Sequence, residues 1–232
     1  MYRFCLLFAV LAMLVSVAPA RAGGGGGGGH LVANSESSAA KRGHGSPASI
    51  VPAGLAGAPL LTAWWREPLA KSVDDPTNPF VTGGCRPVAN RLALMYPTGH
   101  CTIRQGTSLF AVGITVECSN LEPDPFHADT PLEAALCGLH HDLRFTEATL
   151  TVDGRRFSVL GARFGTFMLP GRVTVPEGSV FDLPAGETMR YGGHGYVAFI
   201  RSLPVGEHTL HTRFDGPDSG RVDFDATITV RR

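Results

Sequence analysis

The segment "ATLTVDGRRFSVL", residues 148–160, constrains the fold of this chain more tightly than any other. Asp153-Gly154 has the composition of a two-residue type I′ turn, whose central residues both need positive φ. Counting outward from it pairs Val152 with Arg155, Leu150 with Phe157 and Ala148 with Val159. The apolar pairs share one face, so turn chemistry and burial specify a single register.

The rest of the chain repeats the signal. "RVDFDATITV" alternates strictly, with Val222, Phe224, Ala226, Ile228 and Val230 on one face and Asp223, Asp225, Thr227 and Thr229 on the other. That is the pattern of a half-buried strand. Further strands are expected in "RLALMY", "TSLFAVGITVEC", "GRVTVP", "SVFDL", "GYVAFIRSL" and "HTLHTRF". The segments "YPTGH", "VPEG", "LPAGE", "YGGHG", "LPVGE" and "FDGPDSG" carry turn chemistry between them. Many short strands with Gly/Pro turns predict a mainly β fold, an antiparallel β-sandwich or jelly roll. One core is expected to hold Leu150, Phe157, Val222, Phe224, Ile228 and Val230.

Two short helices are expected beside the sheets. "PLLTAWWREPLAKS" sets Leu61, Trp64, Trp65 and Leu69 at helical spacing, with Pro68 near its end. The Trp64-Trp65 pair reads as an apolar plug on a sheet, with a sugar-stacking platform as the alternative. In "TPLEAALCGLHH", Thr130 and Glu133 fit a capping box, and Leu132, Ala135 and Leu139 line one side.

The N-terminus is that of an exported chain. Arg3, the apolar run from Phe4 to Val17 and the small residues Ala20 and Ala22 predict a cleaved signal peptide over residues 1–22. The apolar run falls short of the roughly 20 residues of a membrane span, and none follows it. Residues 23–59 open with seven glycines and continue in Ser, Ala, Gly and Pro, so they read as a disordered tether. Residues 60–232 then form the β-sandwich domain. Secretion or a periplasmic location makes disulfides the expected state of Cys85, Cys101, Cys118 and Cys137. Pairing neighbours, Cys85 with Cys101 and Cys118 with Cys137, closes the shortest loops.

The order of several motifs resembles a family of exported bacterial β-sandwich proteins of unestablished function. They are Trp64-Trp65, Asn78-Pro79, Gly84-Cys85, Cys101-Thr102 with Gly106, the Cys118–Cys137 loop, "LTVDG", and Pro204, Gly206, His208 and Thr209. The closing "LPVGEHTLHTRFDG" also resembles the turn-and-strand signature of bacterial immunoglobulin-like domains. "NRLALMYPTGH" stands where that family carries a Gln- and Trp-containing strand. The resemblance implies a compact secreted β-sandwich and carries no activity with it.

Candidate chemistry concentrates between residues 122 and 142. Glu122, Asp124 and His127, with His140 or His141, offer oxygen and nitrogen donors for a calcium, zinc or manganese ion. They match no established ligand spacing, so a polar loop closed by Cys118–Cys137, stabilised by about 3 kcal/mol in the chain-entropy model, is the preferred reading. No G-x-S-x-G elbow occurs. His208 shares a face with Leu210, Thr212 and Phe214 and is expected in the core, whereas His194, within "YGGHGY", is expected exposed in a turn. Lys plus Arg equals Asp plus Glu at 20 each, which gives nucleic-acid binding no electrostatic support. The expectation is a secreted, non-catalytic module with no cofactor, binding a glycan, peptide or cell-surface partner in the envelope or outside the cell. The alternative is a metal-assisted hydrolase using loop 122–142.

Overall fold

A computed structural model describes residues 48–217 and 219–232. The expected signal peptide, and the expected tether as far as residue 47, lie outside the described residues. Within them the chain runs β1 (Ser49–Pro52), α1 (Gly57–Leu69), α2 (Pro79–Thr82), β2 (Cys85–Ala89), β3 (Leu92–Met95), β4 (Gly99–Arg104) and β5 (Ser108–Ser119). Then follow α3 (Pro131–Asp142), β6 (Glu147–Val152), β7 (Arg155–Ser158), β8 (Gly165–Phe167) and β9 (Gly171–Thr174). The long strands β10 (Thr188–Arg201), β11 (Gly206–Gly216) and β12 (Gly220–Arg231) close it.

Two sheets form a mainly β sandwich. One has the order β1-β10-β5-β3-β2, with β8 and β9 also paired to β10; the other has the order β4-β12-β11-β6-β7. The hairpin adopts the register its sequence dictates: Val152 faces Arg155, Leu150 faces Phe157, and the Val159 amide donates to the Ala148 carbonyl. Asp153 and Gly154 have φ of 50° and 78°, as a type I′ turn requires. Leu150, Phe224, Ile228 and Val230 are buried between the sheets with Leu109, Ala198 and Ile200; Val222 packs against this core from its margin. Phe157 is only half-buried.

Two pairings are parallel, β3 with β5 and β4 with β12, where the sequence reading expects antiparallel neighbours throughout. The cause is a crossover. After β3 the chain leaves for the opposite sheet as β4 and returns as β5, so β3 and β5 are not joined by a hairpin. Cys85–Cys101 ties these two layers together with Cα atoms 5.1 Å apart, and Cys118–Cys137 joins β5 to α3 with Cα atoms 6.3 Å apart.

Three expectations need correcting. Residues 49–52, placed in the tether by composition, form β1 on the edge of β10, where Ile50 and Val51 pack into the two cores on either side. The ordered fold therefore begins before residue 60. "SVFDL" forms turns with a single bridge from Ser179 to Ser72, not a strand. "YGGHGY", read as a turn, runs through the middle of β10. Its glycines serve close approach: a Cβ at Gly193 would strike the Val116 carbonyl, and Gly192 lies against Ala134 of α3.

The same close packing turns α3 around. Its buried face is Ala134, Gly138, His141 and Asp142, whereas Leu132, expected to face inward, is 68 % exposed. A Cβ at Gly138 would collide with the His194 amide and with Gly193, so only small side chains fit between helix and strand. The Thr130–Glu133 capping box forms as expected. We expect Gly138→Ala to destabilise the fold by about 1–3 kcal/mol in urea unfolding, an overpacking cost, while Leu136→Ala on the exposed side leaves stability nearly unchanged.

Candidate functional site

Strand β5 positions every group of the site. At its start, β3 pairs with it from Ser108 to Ala111. At its end, the Ser119 amide donates to the Phe126 carbonyl and the Ser119 carbonyl accepts from the Ala128 amide. Between Ala111 and Ser119, about 26 Å of strand, no described segment pairs with this edge. Because Ser119 points its main-chain groups away from β10, the two-residue alternation aims those of Glu117 and Thr115 the same way. A buried, unpaired main-chain group costs roughly 1–3 kcal/mol, so this edge calls for a partner.

A cavity of about 90 Å³ lies along this window. About 10–15 Å³ suffices for one water, so the space is several waters wide. Its walls are Trp65, Phe126, Phe145, Phe214 and Phe224 with Val222, and they are mostly apolar. Trp64 and Trp65 stand at one side but are only 3 % and 1 % exposed. The Trp64 Nε1–H donates to the Met95 carbonyl at 3.0 Å and the Trp65 Nε1–H to Thr115 Oγ1 at 3.2 Å. Trp64 also stacks on Tyr96, with ring centroids 5.1 Å apart. The pair is a core plug, not a sugar platform.

Beside the cavity, two carboxyl groups share an interior position. Glu117 is fully buried, and neither of its oxygens has a partner other than the neighbouring Glu122 carboxyl. Glu122 is buried as well and accepts from Ser119 Oγ at 3.2 Å. Burial raises both: Glu117 well above the usual carboxylate range, with the Glu122 charge adding to it, and Glu122 to about 7. At neutral pH the pair therefore retains a proton between its two carboxyls. The sequence places Glu122 on a stapled surface loop, which its burial corrects; the signal for Glu117 is that it is the only charge in the apolar run "SLFAVGITVEC".

A second buried pair clasps α3 to β10. His194 Nδ1 lies 2.8 Å from Asp142 Oδ2, and both side chains are almost wholly buried. His194 is thus a core residue, contrary to the turn expected for it. Burial raises Asp142 and lowers His194 to about 4. Among the described residues no hydroxyl or thiol is hydrogen-bonded to His194 Nε2. His208, as expected, is buried, held by Asp153 of the hairpin turn at 2.7 Å and by the Pro204 carbonyl at 2.8 Å.

The candidate metal ligands diverge. Glu122 turns inward, while Asp124 and His140 are exposed. His127 donates from Nδ1 to the Glu122 carbonyl at 3.0 Å and pairs with Asp129. His141 is buried and stacked on Phe126 at 4.6 Å. Among the described residues no three His, Cys, Asp or Glu side chains are grouped to hold a metal ion. No described helix is long and apolar enough to cross a membrane. No family model, curated protein or solved structure matches the chain.

The buried carboxyls make stability pH-dependent. Each has a folded pKa above its ordinary 4.5, so its contribution is complete below 4.5 and is lost as pH rises, through about 7 for Glu122 and through the raised pKa of Glu117. For Glu122 alone, retaining the proton to about 7 corresponds to about 3 kcal/mol. We expect unfolding free energy to fall between about pH 5 and pH 8, and Glu117→Gln to flatten that fall and raise stability at the alkaline end. A chemical-denaturation series across pH measures both.

Proposed function

We propose that this chain is a secreted, non-catalytic binding module that takes an extended peptide along the open edge of β5, with one apolar side chain in the adjoining cavity. The observation that carries this reading is the coincidence of an unpaired strand edge and an aromatic-lined cavity along the same stretch of β5, Gly113 to Val116. A glycan would need more polar surface than these mostly apolar walls offer. A purely apolar ligand would leave the Thr115 and Glu117 main-chain groups unpaired. A peptide satisfies both, adding a strand through its backbone and filling the cavity with a side chain. Two disulfides and the expected export signal fit an extracytoplasmic setting for such a module.

Trp65 lines the cavity, so its fluorescence reports occupancy. Titration with acetyl-Leu-Val-Phe-Val-amide is expected to change that signal saturably. N-methylation of the amides that pair with β5 should weaken binding about tenfold or more, the worth of one or two main-chain hydrogen bonds. Val222→Trp, which fills the cavity, should do the same with the melting temperature retained. Binding indifferent to both changes would contradict the reading, as would its absence at millimolar peptide.

A further inference from the structure

We propose that the outer face of α3 is a self-association surface, on which a second copy of this chain docks its own α3 in antiparallel orientation. Leu132, Leu136 and Leu143 are 68 %, 54 % and 67 % exposed, and the half-buried Leu139 lies among them. Their spacing of four, three and four residues puts all four within about 60° of one another at 100° per residue. The stripe lies opposite the face that Ala134, Gly138 and His141 press onto β10. Among the described residues none of these leucines belongs to a hydrophobic core cluster. The three exposed ones present on the order of 350 Å² of apolar surface, within the range of patches that mark contact sites.

The identity of the occupant follows from charge and symmetry. The acidic groups of this face lie at the start of α3, Glu133 in its first turn and Asp129 just before the cap, and the basic ones at its end, His140 in its last turn and Arg144 just beyond it. A two-fold axis near Cys137 and Gly138 sets Leu132 against the partner's Leu143 and Leu136 against the partner's Leu139. It brings Glu133, on one flank of the stripe, toward the partner's His140 on the same flank. The opposite flank carries Ala135, which lets the helices approach. Antiparallel alignment also places each helix's negative C-terminal dipole end beside the other's positive N-terminal end. An anionic membrane surface would instead favour a basic flank, and this one is mixed in sign. The contact is a standard isologous dimer interface, self-complementary by construction.

Sedimentation equilibrium of the mature protein tests this. Burial at the low end of interface sizes predicts a monomer–dimer equilibrium with a dissociation constant on the order of tens of micromolar. Leu136→Glu with Leu143→Glu should leave only monomer at the highest concentration, and His140→Glu, opposing Glu133 of the partner, should weaken the dimer about tenfold. The leucines are exposed, so both variants should keep the wild-type melting temperature and circular dichroism. A wild-type chain that stays monomeric at about 500 µM, far above that range, would overturn the proposal. So would a dimer that survives the double leucine variant, or variants that bind neutral vesicles less well while the wild type shows no dimer.

Discussion

The antiparallel ladder between β5 and β10 holds the other layers in place. It runs from Leu109–Ile200 to Ser119–Tyr191, and each of its faces is covered. On the outer face, Phe110, Val112, Val197 and Phe199 receive Leu61 and the two tryptophans of α1. On the inner face, Leu109, Ala111, Ala198 and Ile200 pack against the second sheet. Where the second sheet ends, Val116 and Cys118 pass beneath α3 instead. A register shift between Tyr196 and Val197, opposite Gly113, separates the two regimes. Val159, just after β7, presses so closely on Gly113 that a Cβ there would displace its side chain. A bulge of this kind re-aims the strand, and here it leaves the far half of β5 without a neighbour on one side.

That arrangement explains why polar groups gather where they do. Once β3 ends at Met95, the free edge of β5 must be sheltered by side chains. Trp65 gives its indole N–H to Thr115, whose hydroxyl donates in turn to the His194 carbonyl at 2.8 Å. Glu117 is an inward-facing acid on an open edge, which discourages indiscriminate strand pairing. Its partner Glu122 sits on the same loop as Phe126, so proton sharing between the two carboxyls helps hold an aromatic wall of the cavity.

Much of this architecture is written locally and could be read. The Asp153-Gly154 turn, the alternation of β12, the neighbour-paired disulfides and the Thr130 cap each depend on residues close in sequence, and each forms as expected. What escaped depends on contact at a distance. Gly192 and Gly193 look like a turn until α3 is known to lie against them. The leucines of α3 look like its buried face until Gly138 is seen to face β10. Glu117 is one charge in an apolar run, and its neighbour Glu122 arrives only because the loop folds back. Composition likewise placed residues 49–52 in the tether, since the edge of β10 that recruits them is about 150 residues away.

The central claim is that β5 has a paired side and an open side between Ala111 and Ser119. Residue-resolved amide hydrogen exchange on the free protein tests this most directly. The amides of Ile114, Val116 and Cys118, which face β10, should be strongly protected. Those of Thr115 and Glu117 should exchange far faster and become protected when a peptide binds. Uniform slow exchange along the whole strand in the free protein would contradict the claim, because it would mean that the edge is already paired.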